Sequence, residues 1–280
     1  MQKFDRLVWA DGISFSSFGV RIGVRASSVQ SFRRLPELFP PGWTGSSQPR
    51  VQRLYSVIAA EPEKRGGRRG TLLYGDLELL ARSRDLDAVL EAFQADLHRF
   101  VAEWAPRKYF VHAGVVGWKG RAILVPGRSF SGKSTLVSEL VRAGAEYYSD
   151  EYAVFDDRGR VHPFPRALAL RIEGQANQTK HAPESLGGAV GKKPLRPGLV
   201  LVSRYRSGAR WRPRRLTPGQ GLLALLGNSV SARRDPRRVL ESLRLGVEHA
   251  IGWRGVRGEA SDLVPTILEY LERPDTTRIS

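Results

Sequence analysis

Residues 121–144 read RAILVPGRSFSGKSTLVSELVRAG: a short apolar run, a turn of glycine and serine, and a second apolar run of different period. The first run suits a buried strand. The second places Leu136, Val137, Leu140 and Val141 on one helical face over about Lys133–Ala143, with Gly144 as the stop. Between them, Gly127 and Gly132-Lys133-Ser134 have the spacing G-x-x-x-x-G-K-S. Strand, loop and helix in that order are the setting in which this spacing cradles nucleotide phosphates. Backbone N–H groups of such a loop converge into an anion nest, and the helix adds its positive end. The expected ligand is ATP with Mg²⁺. Gly127, Arg128, Ser129, Phe130, Ser131, Gly132, Lys133, Ser134 and Thr135 form the expected nucleotide-binding loop. In it Lys133 reaches the β- and γ-phosphates and the Ser134 hydroxyl reaches the metal.

Upstream, YFVHAGVVG (109–117) and RAILV (121–125) flank the turn Trp118-Lys119-Gly120, so the spacing predicts two antiparallel neighbours. Downstream, AEYYSDEYAVF (145–155) reads as a strand carrying Asp150 and Glu151. Reactive groups of α/β sheets gather at strand ends beside such a loop. Two adjacent carboxylates can divide metal binding and proton acceptance between them. The pair would equally suit an ordinary metal-holding position or a solvent-facing turn. His112, taken alone, reads more readily as a core hydrogen-bonding group than as a catalytic one.

The pattern predicts an α/β chain in two parts, residues 1–105 and 106–280. The first is β-rich, with strands over 13–25 and 51–59 and a hairpin over 71–81 around Gly75-Asp76. It closes on an amphipathic helix over 85–104. Asp85 is the cap, and Leu86, Val89, Leu90, Phe93, Leu97, Phe100, Val101 and Trp104 form the apolar stripe. In the second part, residues 172–198 read as loop, 199–205 as strand, and 222–226, 236–250 and about 260–272 as helices. Arg166 and Arg171 are candidates to clamp phosphate or substrate, although surface arginines would look the same. Arg257-Gly258-Glu259 suggests no role.

Composition narrows the class. The 280 residues contain no cysteine, which excludes disulfides, thiolate metal sites and cysteine nucleophiles, and suits a cytoplasmic setting. The five histidines have no zinc-ligand spacing. No apolar run approaches the ~20 residues of a membrane span, and the N-terminus lacks the pattern of a signal peptide. The net charge is +17, with 37 arginines against 8 lysines. That excess attracts polyanions, but the arginines are spread along the chain and no nucleic-acid-binding motif is present. Nucleic acid is therefore not the expected partner. The interleaved run Arg210–Arg215, with Trp211 and Pro213, is a second place where an anion could be met.

Residues 109–156 resemble the catalytic domain of the bacterial HPr kinase/phosphorylase family. The segments that carry the likeness are His112-Ala113-Gly114-Val115, Ala122-Ile123-Leu124-Val125, Gly127 through Ser134, Val141-Arg142-Ala143-Gly144 and Ser149-Asp150-Glu151. Order and spacing agree with the family. Phe130 and Thr135 stand where the family has glycine and glutamate, Asp-Glu replaces its Asp-Asp, and the first ~105 residues do not look like its N-terminal domain. The resemblance implies a domain akin to phosphoenolpyruvate carboxykinase and ATP-dependent phosphorylation of a serine hydroxyl on a protein or peptide. It places the acid/base role on Asp150, support of that group on His112, and the metal near Glu151 and Ser134, with Lys133 neutralising the transferred phosphate. A peptide-modification substrate is expected rather than HPr itself, and homo-oligomerisation is an open expectation. The alternatives are an ATP-binding sensor or assembly module without transfer, and a carboxykinase-like small-molecule enzyme. The latter ranks low because the histidine-and-lysine metal set of carboxykinases is missing.

Overall fold

The computed structural model describes residues 8–60, 70–127, 131–171 and 178–272. The fold is mixed α/β, with two mixed sheets among the described residues, and the chain divides into Met1–Pro106 and Arg107–Ser280.

In the first unit, β1 (Asp11–Ser17), β2 (Val20–Ala26), α1 (Val29–Arg33), β3 (Thr44–Gly45), β4 (Arg53–Ile58), β5 (Thr71–Gly75), β6 (Glu78–Ser83) and α2 (Leu86–Trp104) follow in order. The sheet order is β3-β1-β2-β4-β5-β6, with β2 and β4 parallel. Residues 13–25, expected as one strand, are a hairpin: Phe18 and Gly19 turn at φ 48° and 82°, and β1 pairs back on β2. The 71–81 hairpin forms around Asp76 as expected. The Asp85 carboxylate caps α2 by accepting the Asp87 N–H at 2.9 Å. The helix buries Val89, Leu90, Phe93, Leu97, Phe100 and Val101. Trp104, expected in the same stripe, is 39% exposed and stacks on Phe100. Its position in the last turn carries it beyond the end of the packed face.

The second unit runs β7 (Lys108–Trp118), β8 (Arg121–Pro126), α3 (Lys133–Arg142), β9 (Glu146–Ser149), β10 (Tyr152–Asp156), β11 (Val161–His162), β12 (Leu168–Arg171), β13 (Gln178–His181), β14 (Arg196–Tyr205), β15 (Arg214–Leu216), α4 (Pro218–Leu226), α5 (Pro236–Val247), β16 (Ile251–Arg257) and α6 (Ala260–Glu272). Its main sheet has the order β11-β10-β7-β8-β14-β16-β15, with β9 also on β7. β7 and β8 are antiparallel across a Lys119-Gly120 turn at positive φ, whereas β8, β14 and β16 are parallel. Helices cover both faces. α3 and α6 bury Leu136, Val137, Leu140, Ile267 and Leu271 against Ile123, Val125, Leu199 and Leu201. α4 and α5 bury Leu225, Val239 and Leu243 against Val111, Leu124 and Val200. Each such side chain, fully withdrawn from water, contributes about 1.5–3 kcal/mol.

Three expectations change. Residues 145–155 are two strands rather than one. The Ser149 hydroxyl accepts the N–H groups of Glu151 (3.1 Å) and Tyr152 (2.9 Å), turning the chain out of the ladder at Asp150-Glu151. Part of 172–198 is ordered: β13 pairs with β12, and β14 begins at Arg196. β16, which the sequence reading passed over, is an interior strand.

Candidate functional site

Because β8, β14 and β16 are parallel, their carboxyl ends at Pro126, Tyr205 and Arg257 lie at one edge of the sheet. β7 runs the other way, so its residue at that edge is His112, one step beyond the last pair Ala113↔Pro126. The Gly127 N–H donates to the His112 carbonyl at 3.3 Å, and the Ala113 N–H donates to the Glu151 carbonyl at 3.1 Å. Main-chain bonds therefore hold the start of the loop, the histidine and the break between β9 and β10 side by side.

Gly127 and Ser131 approach each other. A Cβ on Gly127 would lie 2.9 Å from the Ser131 hydroxyl oxygen, and that oxygen is buried with no hydrogen-bond partner among the described residues. Gly132 has φ 80° and precedes α3 as its N-cap residue; no side chain caps the helix and no acid lies in its first turn. A helix start with neither a side-chain cap nor an acid is the kind of arrangement that binds anions. Lys133, Ser134 and Thr135 open the helix. Thr135 is exposed, while Lys133 and Ser134 are half-buried. Arg128, Ser129 and Phe130 lie outside the described residues.

The side chains converge. The Ser134 hydroxyl donates to Asp150 Oδ2 at 3.4 Å, and the Tyr147 hydroxyl lies 3.3 Å from Asp150 Oδ1 while donating to the Arg166 carbonyl at 2.8 Å. Burial, and then the Asp150 charge, hold the Tyr147 phenol far above its ordinary pKa, so it stays protonated. Burial lowers the pKa of Lys133, and Asp150 opposes that shift. His112 is reached by solvent on one side and leans on Tyr152, with ring centroids 4.8 Å apart. Partial desolvation, and then the Lys133 ammonium, push its pKa below the usual histidine value, so it is neutral at pH 7. Arg166 forms an ion pair with Glu151. Burial lowers its pKa, with Asp150 and Tyr147 acting in the opposite sense.

The structure thus brings together Gly127, Ser131, Gly132, Lys133, Ser134, His112, Asp150 and Glu151. The carboxylate at the Ser134 hydroxyl is Asp150, and Glu151 is turned to Arg166. Among the described residues no group of three or more His, Cys, Asp or Glu is placed to hold a metal. The oxygens of Ser134 and Asp150 suit Mg²⁺ all the same, since that ion is held by one or two carboxylates with substrate phosphates and water completing its shell, and Glu151 would join them only by leaving Arg166. Arg171 belongs to β12, and its side chain lies outside the described part. The sequence reading missed two participants. One is Tyr147 beside Asp150. The other is Arg257, whose guanidinium donates to the Gly132 carbonyl at 2.9 Å and which no local pattern in the sequence marks.

No protein-family model matches the chain, and comparison with curated proteins gives no match. Among the described residues no helix is long and apolar enough to cross a membrane.

Proposed function

We propose that the chain is an ATP-dependent kinase that transfers the γ-phosphoryl group to a serine or similar hydroxyl of a protein or peptide, on a domain of the HPr-kinase and phosphoenolpyruvate-carboxykinase kind. ATP as donor and the absence of cysteine favour a cytoplasmic setting. The observation that carries the reading is the meeting of Lys133, Ser134 and Asp150 at the mouth of the Gly127–Gly132 turn.

In this reading the loop amides and Lys133 hold the phosphates and offset the charge that spreads over them during transfer. Asp150 accepts the proton of the attacking hydroxyl. The hydroxyl oxygen bonds to the γ-phosphorus as the bond to the ADP oxygen breaks, leaving a phosphate ester and ADP. His112, neutral, supports the acid/base group without adding charge. Mg²⁺, held by Ser134 with Glu151 or Asp150, supplies further neutralisation of the phosphate oxygens when bound.

A second reading is favoured by one contact. Asp150 touches Ser134, as a carboxylate that only holds metal would. The chain would then bind ATP as a sensor or assembly module. Titration calorimetry with Mg-ATP, run beside a transfer assay, separates the two. Lys133→Ala is expected to weaken ATP binding at least ~10-fold, the scale of a lost charge-assisted contact. Asp150→Asn is expected to keep ATP affinity within a few-fold while transfer falls ~10²–10⁴-fold, the usual worth of a general base. Loss of Mg-dependent affinity in Asp150→Asn, with no transfer by the unaltered chain, would establish the second reading instead.

A further inference from the structure

Arg257 ends β16, is 2% exposed, and is the largest fully buried side chain among the described residues. Its Nη2 donates to the Gly132 carbonyl at 2.9 Å and its Nη1 to the Gly258 carbonyl at 2.9 Å. Its Nε is buried with no hydrogen-bond partner among the described residues. The guanidinium carbon lies 5.4 Å from the ring centre of Tyr205, whose hydroxyl donates to Glu259 at 2.8 Å. Among the described residues Arg257 makes no ion pair within contact distance; burial works against its charge, and the more distant Glu259 carboxylate only partly offsets that.

As a stabilising device this is poor. A buried guanidinium with an unmet N–H is costly. It also sits at the N-terminal end of α3, where the helix dipole repels a cation. The placement makes sense if the positive charge is there for an anion.

The contact with Gly132 says how. The same carbonyl accepts the Leu136 N–H at 3.2 Å, the first bond of α3. In a planar trans peptide the C=O and N–H point in opposite directions. Holding the Gly132 carbonyl along the helix therefore turns the Lys133 N–H outward from its N-terminus. A Cβ on Gly132 would stand 2.5 Å from Arg257 Nη2, so glycine is what admits the arginine.

We infer that Arg257 is a positioning residue of the phosphate turn: it fixes the Gly132–Lys133 peptide with its N–H outward and adds a buried positive charge that makes the site favour nucleotides with more phosphate charge. This rests on reading the turn as a phosphate site. A structural arginine would affect all nucleotides alike, whereas this one acts on the β- and γ-phosphates.

The test is titration calorimetry of the full chain with Mg-ATP, Mg-ADP and AMP, for the unaltered protein, Arg257→Met and Arg257→Lys. Arg257→Met is expected to lose about 10- to 100-fold in ATP affinity, less for ADP and least for AMP. Arg257→Lys keeps charge without the fork and is expected to fall between. An unchanged ATP affinity, or an equal loss for all three nucleotides, overturns the inference. If Arg257→Met does not fold, the ATP-to-ADP affinity ratio of Arg257→Lys decides, and a ratio equal to that of the unaltered protein overturns it. If the unaltered protein binds none of the three, the phosphate reading itself falls and this inference with it. An unaltered protein that binds ATP beside an Arg257→Met variant that binds it equally well removes the inference alone.

Discussion

Gly114 shows how a single residue sets the site. It lies in β7 under α3, and a Cβ there would stand 2.5 Å from Val137 Cγ2 and 3.9 Å from Lys133 Cβ. The missing side chain lets the helix carrying Lys133 and Ser134 settle onto the sheet. Gly114→Ala is expected to push α3 outward at a cost of about 1–3 kcal/mol, the range for overpacking, and to weaken ATP binding along with stability. Thermal melting and an ATP titration of the variant check both, and an unchanged melting temperature would show that the helix has room to spare. At this scale Lys133 and Ser134 were legible because their spacing is local. Arg257 was not, because its partner Gly132 lies 125 residues away in sequence.

At the scale of elements, local chemistry decided some boundaries and packing decided others. The strand, turn, strand and helix over 109–142 formed where the pattern put them, since short antiparallel connections and helical periodicity are properties of neighbouring residues. The division of 145–155 was hidden. Tyr, Val and Phe read as one continuous strand, and only the double acceptance by the Ser149 hydroxyl breaks it at Asp150-Glu151. β16 was hidden for the opposite reason. Its glycines weaken a strand reading, yet Gly252 is pressed by Leu216 and Gly255 by the Trp211 ring, so packing requires what propensity disfavours.

The turn after β10 makes a pH prediction. Burial opposes ionisation of Asp156, but the hydrogen bond from His162, the N–H groups of Arg160 and Arg158 and the Arg160 charge prevail and hold its pKa down to about 2. Its unfolded value is near 3.8, so the folded chain releases this proton more readily. The resulting stability is present above that value and is lost as pH falls from about 4 towards 2. Denaturant melts across this window are expected to show the loss, and to show a smaller one in Asp156→Asn. An equal acid sensitivity in the variant would assign the loss to other carboxylates.

At the scale of the molecule, each unit carries its own sheet, and the second holds every described residue of the candidate site. The net charge of +17 attracts polyanions at long range. The proposed transfer of a phosphoryl group to a hydroxyl can be tested directly. The most direct measurement incubates the purified chain with γ-labelled Mg-ATP and serine-bearing proteins or peptides, and follows where the label goes. The account predicts label in an acid-stable, base-labile ester on serine, absent with Asp150→Asn. ATP that binds while its label stays on the nucleotide, or leaves only as free phosphate, would contradict it.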